Sequence, residues 1–350
     1  VRFLALGCTA ISALNCLIEM KKQVIQALVV GAAMLTLAFF CQSCGGPDAS
    51  STNNTGEEDA TRHTAVWAAP DTNTWAQTDQ AEQLRYGREL VANTSAYLGP
   101  EGSIARTTNG LNCQNCHLDA GTRPFTNNYA LVASTYPRFR ARSGTEETVH
   151  KRIADCFQRS LNGQAPDSLS VEGKAIAAYV LWVGSGIQKG ETPAGAGLEV
   201  IDFLDRAADA QAGAQVYAQK CQSCHQPNGL GLTNGKGGYA FPPLWGPNSY
   251  NHAAGLYRLS RFASYVKQGM PLGATHEKPL LTDEEAWDVA AYVNSQERPK
   301  YDLRADWPDI SGKPVDHPFG PYSDSFPELQ HKYGPFKPIK AARDQQKQSS

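Results

Sequence analysis

At 350 residues the chain is long enough for two ordinary domains with buried cores, and 32 Lys and Arg against 34 Asp and Glu, a formal charge of −2, exclude a generally polybasic, nucleic-acid-binding surface. Nine cysteines are too many for a typical cytosolic enzyme and too few for a disulfide-stapled miniature, so the composition points to cysteine chemistry.

Residues 20–46 (MKKQVIQALVVGAAMLTLAFFCQSCGG) set Lys21 and Lys22 before an apolar run and a small-residue, cysteine-containing exit, the layout of a bacterial export signal. Met20 reads as the natural start, which leaves residues 1–19, with Cys8 and Cys16, upstream of it. Ser43-Cys44-Gly45-Gly46 resembles a lipoprotein cleavage site, although Gln42 and Cys41 stand where small or aliphatic residues are usual. Lipidation of Cys44, plain signal cleavage and a retained anchor are the three readings; each predicts an extracytoplasmic protein, either periplasmic or, if lipidated at Cys44 or anchored, membrane-attached. Residues 48–64 are polar, small and acidic, and read as a flexible tether within 44–74.

A helix with Gly87 is predicted over 79–94, and a second over 171–183. Between them Cys113-Gln114-Asn115-Cys116-His117 is a CxxCH motif, and Cys221-Gln222-Ser223-Cys224-His225 is another. The spacing has a mechanical reason: two thiols three residues apart form thioethers to the vinyl groups of one haem, and the next imidazole reaches its iron. The sequence therefore predicts two covalently bound haem c groups, attached through Cys113, Cys116, Cys221 and Cys224. The alternatives are a disulfide or half a zinc site, and the chain offers no matching second half.

Residues 207–219 read as a helix with Gly213, and Thr282-Asp283-Glu284-Glu285 as a capping box opening another helix with Trp287, Ala290, Tyr292 and Val293. Ala177-Ala178-Tyr179-Val180 echoes Ala290-Ala291-Tyr292-Val293, an internal duplication. A glycine on one helix facing an aromatic on the other would permit a close crossing in each half. The predicted fold is all-α: two class I cytochrome c-like haem domains in tandem, 75–187 and 198–299, joined by the linker 188–197. The tail 300–350 shows no helical period and reads either as an ordered extension wrapping the body or as disordered.

Each iron needs something, or nothing, opposite its histidine. Met270, in Lys267-Gln268-Gly269-Met270-Pro271, lies just before the capping box and reads as the distal sulfur of the second haem, or as core packing. The first half has no methionine but holds Cys156, a thiol that is buried and inert, bridged between molecules, or functional. Around it Arg138, Arg140, Arg142, Lys151, Arg152 and Arg159 outnumber Glu146, Glu147 and Asp155. If Arg142, Arg152 and Ser160 surround Cys156, the site offers anion clamps beside a thiolate, because the guanidinium fork suits an oxyanion; a solvated basic face is the other reading.

The motifs LNCQNCHLDAGT, YPRFRARSGTEETVHKRIADCFQRSLNG, MPLG with LTDEEAWDVAAYVNSQERP, and FGPYSDSFPELQHKYGPFKPI together make residues 75–339 similar to the dihaem cytochromes of the thiosulfate dehydrogenase family. The resemblance implies that His117 and Cys156 are axial ligands of the catalytic haem and that Arg142, Arg152 and Ser160 bind substrate, with Gln226 also facing the cleft. It implies His225 and Met270 on the second haem. Some members carry a lysine directly before this methionine that exchanges onto the iron; here that residue is Gly269, and Lys267 stands three residues before Met270. The implied reaction joins two thiosulfate into tetrathionate, with a soluble or membrane cytochrome as electron acceptor and no nucleic-acid partner. Rival readings are a dihaem electron carrier without catalysis, a dihaem peroxidase, and a tetrathionate reductase running the same site backwards.

Overall fold

A computed structural model describes residues 66–348, which belong to one compact unit, Asp59–Ser350. The export signal, Cys41, Cys44 and most of the tether lie outside the described residues. The unit is mostly helical, with two small two-stranded hairpins that the all-α expectation did not contain. Among the described residues no helix is long and apolar enough to cross a membrane.

The first half is built on α1 (Ala81–Ala92), α2 (Val149–Arg159) and α3 (Val171–Val183). Thr148 starts α2 by accepting from the Lys151 N–H, and Ser170 starts α3 by accepting from the Gly173 N–H. The first helix is shorter than expected because the chain breaks at Asn93 and restarts as Thr94–Leu98. Leu90, Val91, Phe157, Ala175, Tyr179 and Val183 fill the core between these elements.

The second half repeats the plan with α4 (Ala210–Lys220), α5 (Leu259–Gly269) and α6 (Asp283–Ser295). Asp209 delays the start of α4 by accepting from the Gln211 and Ala212 N–H groups. The Thr282/Glu285 capping box opens α6 with both of its reciprocal bonds formed. A second core gathers Tyr217, Phe262, Trp287, Ala290 and Val293.

In both halves a glycine sets the helix crossing. A Cβ on Gly87 would lie 2.0 Å from the Ala175 carbonyl oxygen, and one on Gly213 would lie 1.9 Å from that of Asp288. Ala175 and Asp288 each stand two residues before the repeated Ala-Ala-Tyr-Val, so the duplication is exact in register. The nearest atom to each added methyl is a backbone carbonyl oxygen, and in the first half Cβ of the aromatic Tyr179 on the facing helix follows at 2.8 Å.

Residues 188–197 are bound to the first half: the Trp67 N–H donates to Ala194 O at 2.7 Å, and Asn128 Nδ2 donates to Gly195 O at 2.7 Å. The tail is ordered through residue 348, and its lack of helical period was a misreading. Here α7 (Lys337–Gln348) buries Ile339 and Arg343, four residues apart, and carries a Lys340–Asp344 pair at the same spacing. Phe336 and Ile339 join the second core, while Asp306 reaches back to Arg159 with bonds of 2.6 and 2.7 Å.

Candidate active site

One cavity of about 210 Å³ opens in the first half. Cys113, Cys116 and His117 line one side, and α2 supplies Arg152, Cys156 and Ser160 to it. These three recur every four residues, so the helix stacks them on one face. Val91, Leu111, Ile176 and Val180 make much of the rest of the wall apolar.

The cysteines have opposite electrostatic surroundings. Burial pushes the Cys113 thiol up to about 11 and the Cys116 thiol up to about 12. At Cys156 burial also raises the pKa, but the charges of Arg152 and Arg142, with His117 close by, outweigh it and bring the thiol down to about 7. The cavity thus favours neutral sulfur at the CxxCH pair and makes Cys156 the most readily ionised of the three.

Both motif histidines are prepared as iron ligands. His117 Nδ1 lies 2.5 Å from Asn127 O and His225 Nδ1 lies 2.8 Å from Pro242 O. A carbonyl only accepts, so each Nδ1 carries the proton and each Nε2 keeps its lone pair for a metal. The Tyr129 ring lies against the His117 ring, centroids 4.5 Å apart. The four motif cysteines and Cys156 are free thiols, and no group of three or more His, Cys, Asp or Glu among the described residues could hold a metal ion as a zinc site would. The residues fit covalent haem at both motifs.

The remaining expected residues fall in different places. Arg142, on the hairpin turn between Arg138–Arg140 and Thr145–Glu147, does not line the cavity. Its Nη2 bonds Asp155 Oδ2 at 2.5 Å with the side chain 12% exposed, so it reaches Cys156 through its charge. Lys151 holds the other Asp155 oxygen. Gln226 is not among the residues lining the cavity either: it has left-handed φ of 67°, its carbonyl accepts from Tyr217 Oη at 2.6 Å, and its amide turns back to Cys224 O at 3.4 Å.

Met270 follows α5 directly and packs on the same core as Cys221. Lys267 is tied to Asp283 at 2.8 Å. Gly269 has a steric reason: a Cβ there would come within 2.6 Å of Leu118 Cδ1, the residue after His117. Tyr265 Oη donates to Asn115 O at 2.6 Å, and Phe125 stacks on His276 with centroids 3.7 Å apart. The element carrying Met270 therefore rests directly on the first CxxCH motif.

Sequence reading gave no role to three residues here. Tyr129 lies outside every motif quoted above and Tyr136 only opens the stretch around Cys156, yet both line the cavity. Glu147, counted only as a charge, is fully buried with both carboxylate oxygens free of hydrogen bonds, 3.8 Å from Arg140 Nε.

The family model described as Cytochrome c matches residues 210–297, the span of α4 to α6. The chain is 35% identical over 219 residues to the thiosulfate dehydrogenase of Stutzerimonas stutzeri, covering 63% of this chain and 68% of that protein. It is 37% identical over 227 residues to the thiosulfate dehydrogenase of Allochromatium vinosum, covering 63% and 80%. Among solved structures it is similar to the thiosulfate dehydrogenase TsdBA of Marichromatium purpuratum in its as-isolated form, with TM-score 0.61 and 32% identity over 67% of this chain; it spans 50% of that longer chain. With its two CxxCH motifs and prepared histidines, the chain belongs to the thiosulfate dehydrogenase family, oxidoreductases of cytochrome c type with covalently bound haem c.

Proposed function

We propose that the protein oxidises two thiosulfate to tetrathionate, releasing two electrons, at the cavity that holds Cys156. The observation that carries this reading is the placement of a sulfur, a guanidinium and a hydroxyl, Cys156, Arg152 and Ser160, on one helix face above a CxxCH histidine. Two dianions repel each other, so the site must supply positive charge without consuming it in internal pairs. Arg152 does this from the wall, and Arg142 adds its field from behind. Ser160 offers a hydroxyl to a sulfonate oxygen, and the apolar wall excludes water from the sulfur chemistry.

Cys156 is the group able to hold a sulfane sulfur. Its thiolate plus one thiosulfate gives a cysteinyl S-thiosulfonate and two electrons. A second thiosulfate then attacks the outer sulfur, releasing tetrathionate and restoring the thiolate. When bound, the haems supply one-electron acceptors, so the electron pair leaves singly. In this reading His117 and Cys156 would hold the haem at the first motif and His225 and Met270 that at the second, from which electrons would pass to an external cytochrome acceptor. The export signal read in residues 20–46 agrees with an extracytoplasmic site for this chemistry.

The test is to mix oxidised holoprotein with thiosulfate in a stopped-flow instrument while following haem reduction and assaying tetrathionate. The parent protein should reduce rapidly and form tetrathionate. Cys156→Ala should keep both haems attached but lose turnover by about a thousandfold or more. Full activity in that variant would sink the mechanism.

A further inference from the structure

The chain that follows His117 doubles back on it. His117 Nδ1 reaches Asn127 O, and the stretch between them turns through Asp119, Ala120 and Phe125, non-glycine residues with left-handed φ of 55°, 56° and 61°. That conformation is least favourable for a bulky side chain, so Phe125 needs something to hold it there. Both of its backbone groups are tied to the segment joining the halves. Its N–H donates to Gly195 O at 2.9 Å, and its carbonyl accepts from the Glu199 N–H at 3.0 Å. The backbone so held lays the Phe125 ring flat on that of His276, with centroids 3.7 Å and planes 9° apart.

His276 ends a loop that begins at Met270. Its Nδ1 meets Oε1 of the buried Gln268, two residues before Met270, at 3.1 Å. The two ends of the loop are therefore tied to each other and, through the stack, to Phe125. On the other side of Met270, α5 rests on the same stretch of the first half. Tyr265 Oη donates to Asn115 O, and a Cβ on Gly269 would lie 2.6 Å from Leu118 Cδ1 and 3.7 Å from Thr126 Cγ2. Within the loop Leu272, Gly273 and Thr275 are exposed, so its ends and the enclosed Ala274 are what fix its shape. Met270 is thus flanked, before and after, by residues seated on the stretch that carries His117.

We propose that Phe125 and His276 are positioning residues that hold the Met270 sulfur at the second haem from the first half. The proposal rests on the reading of Met270 as the distal sulfur of that haem. An aromatic pair contributes enough to shift a two-state equilibrium by about 2- to 10-fold. Without the stack the sulfur leaves its place more often by that factor. The release is measurable, because an added ligand takes the position the sulfur leaves and its apparent affinity follows the released fraction.

The test uses the oxidised dihaem holoprotein without substrate, titrated with imidazole while the methionine sulfur-to-iron charge-transfer band is followed. Met270→Ala should lose that band; a spectrum unchanged in Met270→Ala overturns the ligand reading and the proposal with it. His276 is exposed, so removing its ring leaves the core intact. His276→Ala should lower the imidazole concentration that removes half of the band by about 2- to 10-fold. His276→Phe keeps a ring on Phe125 and should restore most of the parent value. Phe125→Leu, which fills the space without a flat face, should behave like His276→Ala. If Met270→Ala loses the band but His276→Ala and Phe125→Leu both titrate like the parent, even with lower thermal stability, the stack is packing alone. The proposal is then overturned while the role of Met270 stands.

Discussion

The two halves are built alike and equipped differently. Each crosses two helices over a glycine, presents a CxxCH motif and orients its histidine through a backbone carbonyl. In the first half the sulfur beyond the histidine lies within a helix, enclosed in a cavity with arginines at hand. In the second, Met270 sits in a loop whose neighbour Leu272 is 77% exposed, and the nearby lysine is already paired. On the proposed function, the repeated frame would hold a cofactor in each half, and what each half adds around its remaining sulfur would set whether it does chemistry on a dianion or passes electrons on.

The strongest way to break this contrast is to remove the charge that distinguishes the first half. Arg152→Leu should lower kcat/KM for thiosulfate by about a hundredfold or more, since losing one partner of a desolvated charge contact costs roughly 2–5 kcal/mol. Both haems should stay attached, because Arg152 is in neither CxxCH motif. Arg142→Leu is a weaker probe of binding, because it would also leave the buried Asp155 short of a partner. Steady-state kinetics would separate the two. An unchanged kcat/KM in Arg152→Leu would show that the arginine serves the fold instead of the anion.

The shared frame can be tested next. Gly87→Ala and Gly213→Ala each push a methyl into a backbone carbonyl that cannot rotate away. Each should destabilise the protein by about 3 kcal/mol, the upper part of the overpacking range, and the two should match within about 1 kcal/mol. Chemical denaturation of both variants measures this. Unequal losses would mean that the repeat is one of sequence more than of packing.

The frame was legible because its signals are local. A capping box, a glycine in a helix and a repeated Ala-Ala-Tyr-Val each act through neighbouring residues, and the capping box formed as read. The placement of Arg152, Cys156 and Ser160 was legible for the same reason, since one helix period joins them. The pairing of Arg142 was not legible, because it depends on a hairpin turn and on Asp155, thirteen residues on, which takes up its guanidinium. Nor was the local conformation of Gln226, with its left-handed φ and its amide on Cys224 O. The tail helix was missed because Ile339 and Arg343 acquire their partners only from residues far away in sequence. The Phe125–His276 stack carried no motif, since a contact between residues so far apart in sequence can be recognised only once the fold is known.

The smallest expected effect concerns the second half and sharpens the contrast most finely. Lys267 projects from the last turn of α5 to Asp283, which opens α6 together with Glu284 and Glu285. Asp283 is about half exposed, so this is a surface pair worth less than about 1 kcal/mol. Asp283→Asn should therefore lower thermal stability only slightly. It also removes what holds the ammonium away from Met270. Gly269 has no side chain to take part, and a Cβ there would first meet the movable tip of Leu118. If the second half is a fixed relay, the sulfur-to-iron charge-transfer band of the oxidised holoprotein should be the same in Asp283→Asn as in the parent. Loss of that band with growth of a nitrogen-ligated spectrum would show that Asp283 restrains Lys267. The second half would then be a switch held closed by one ion pair, and the contrast with the first half would lie in control as well as in chemistry.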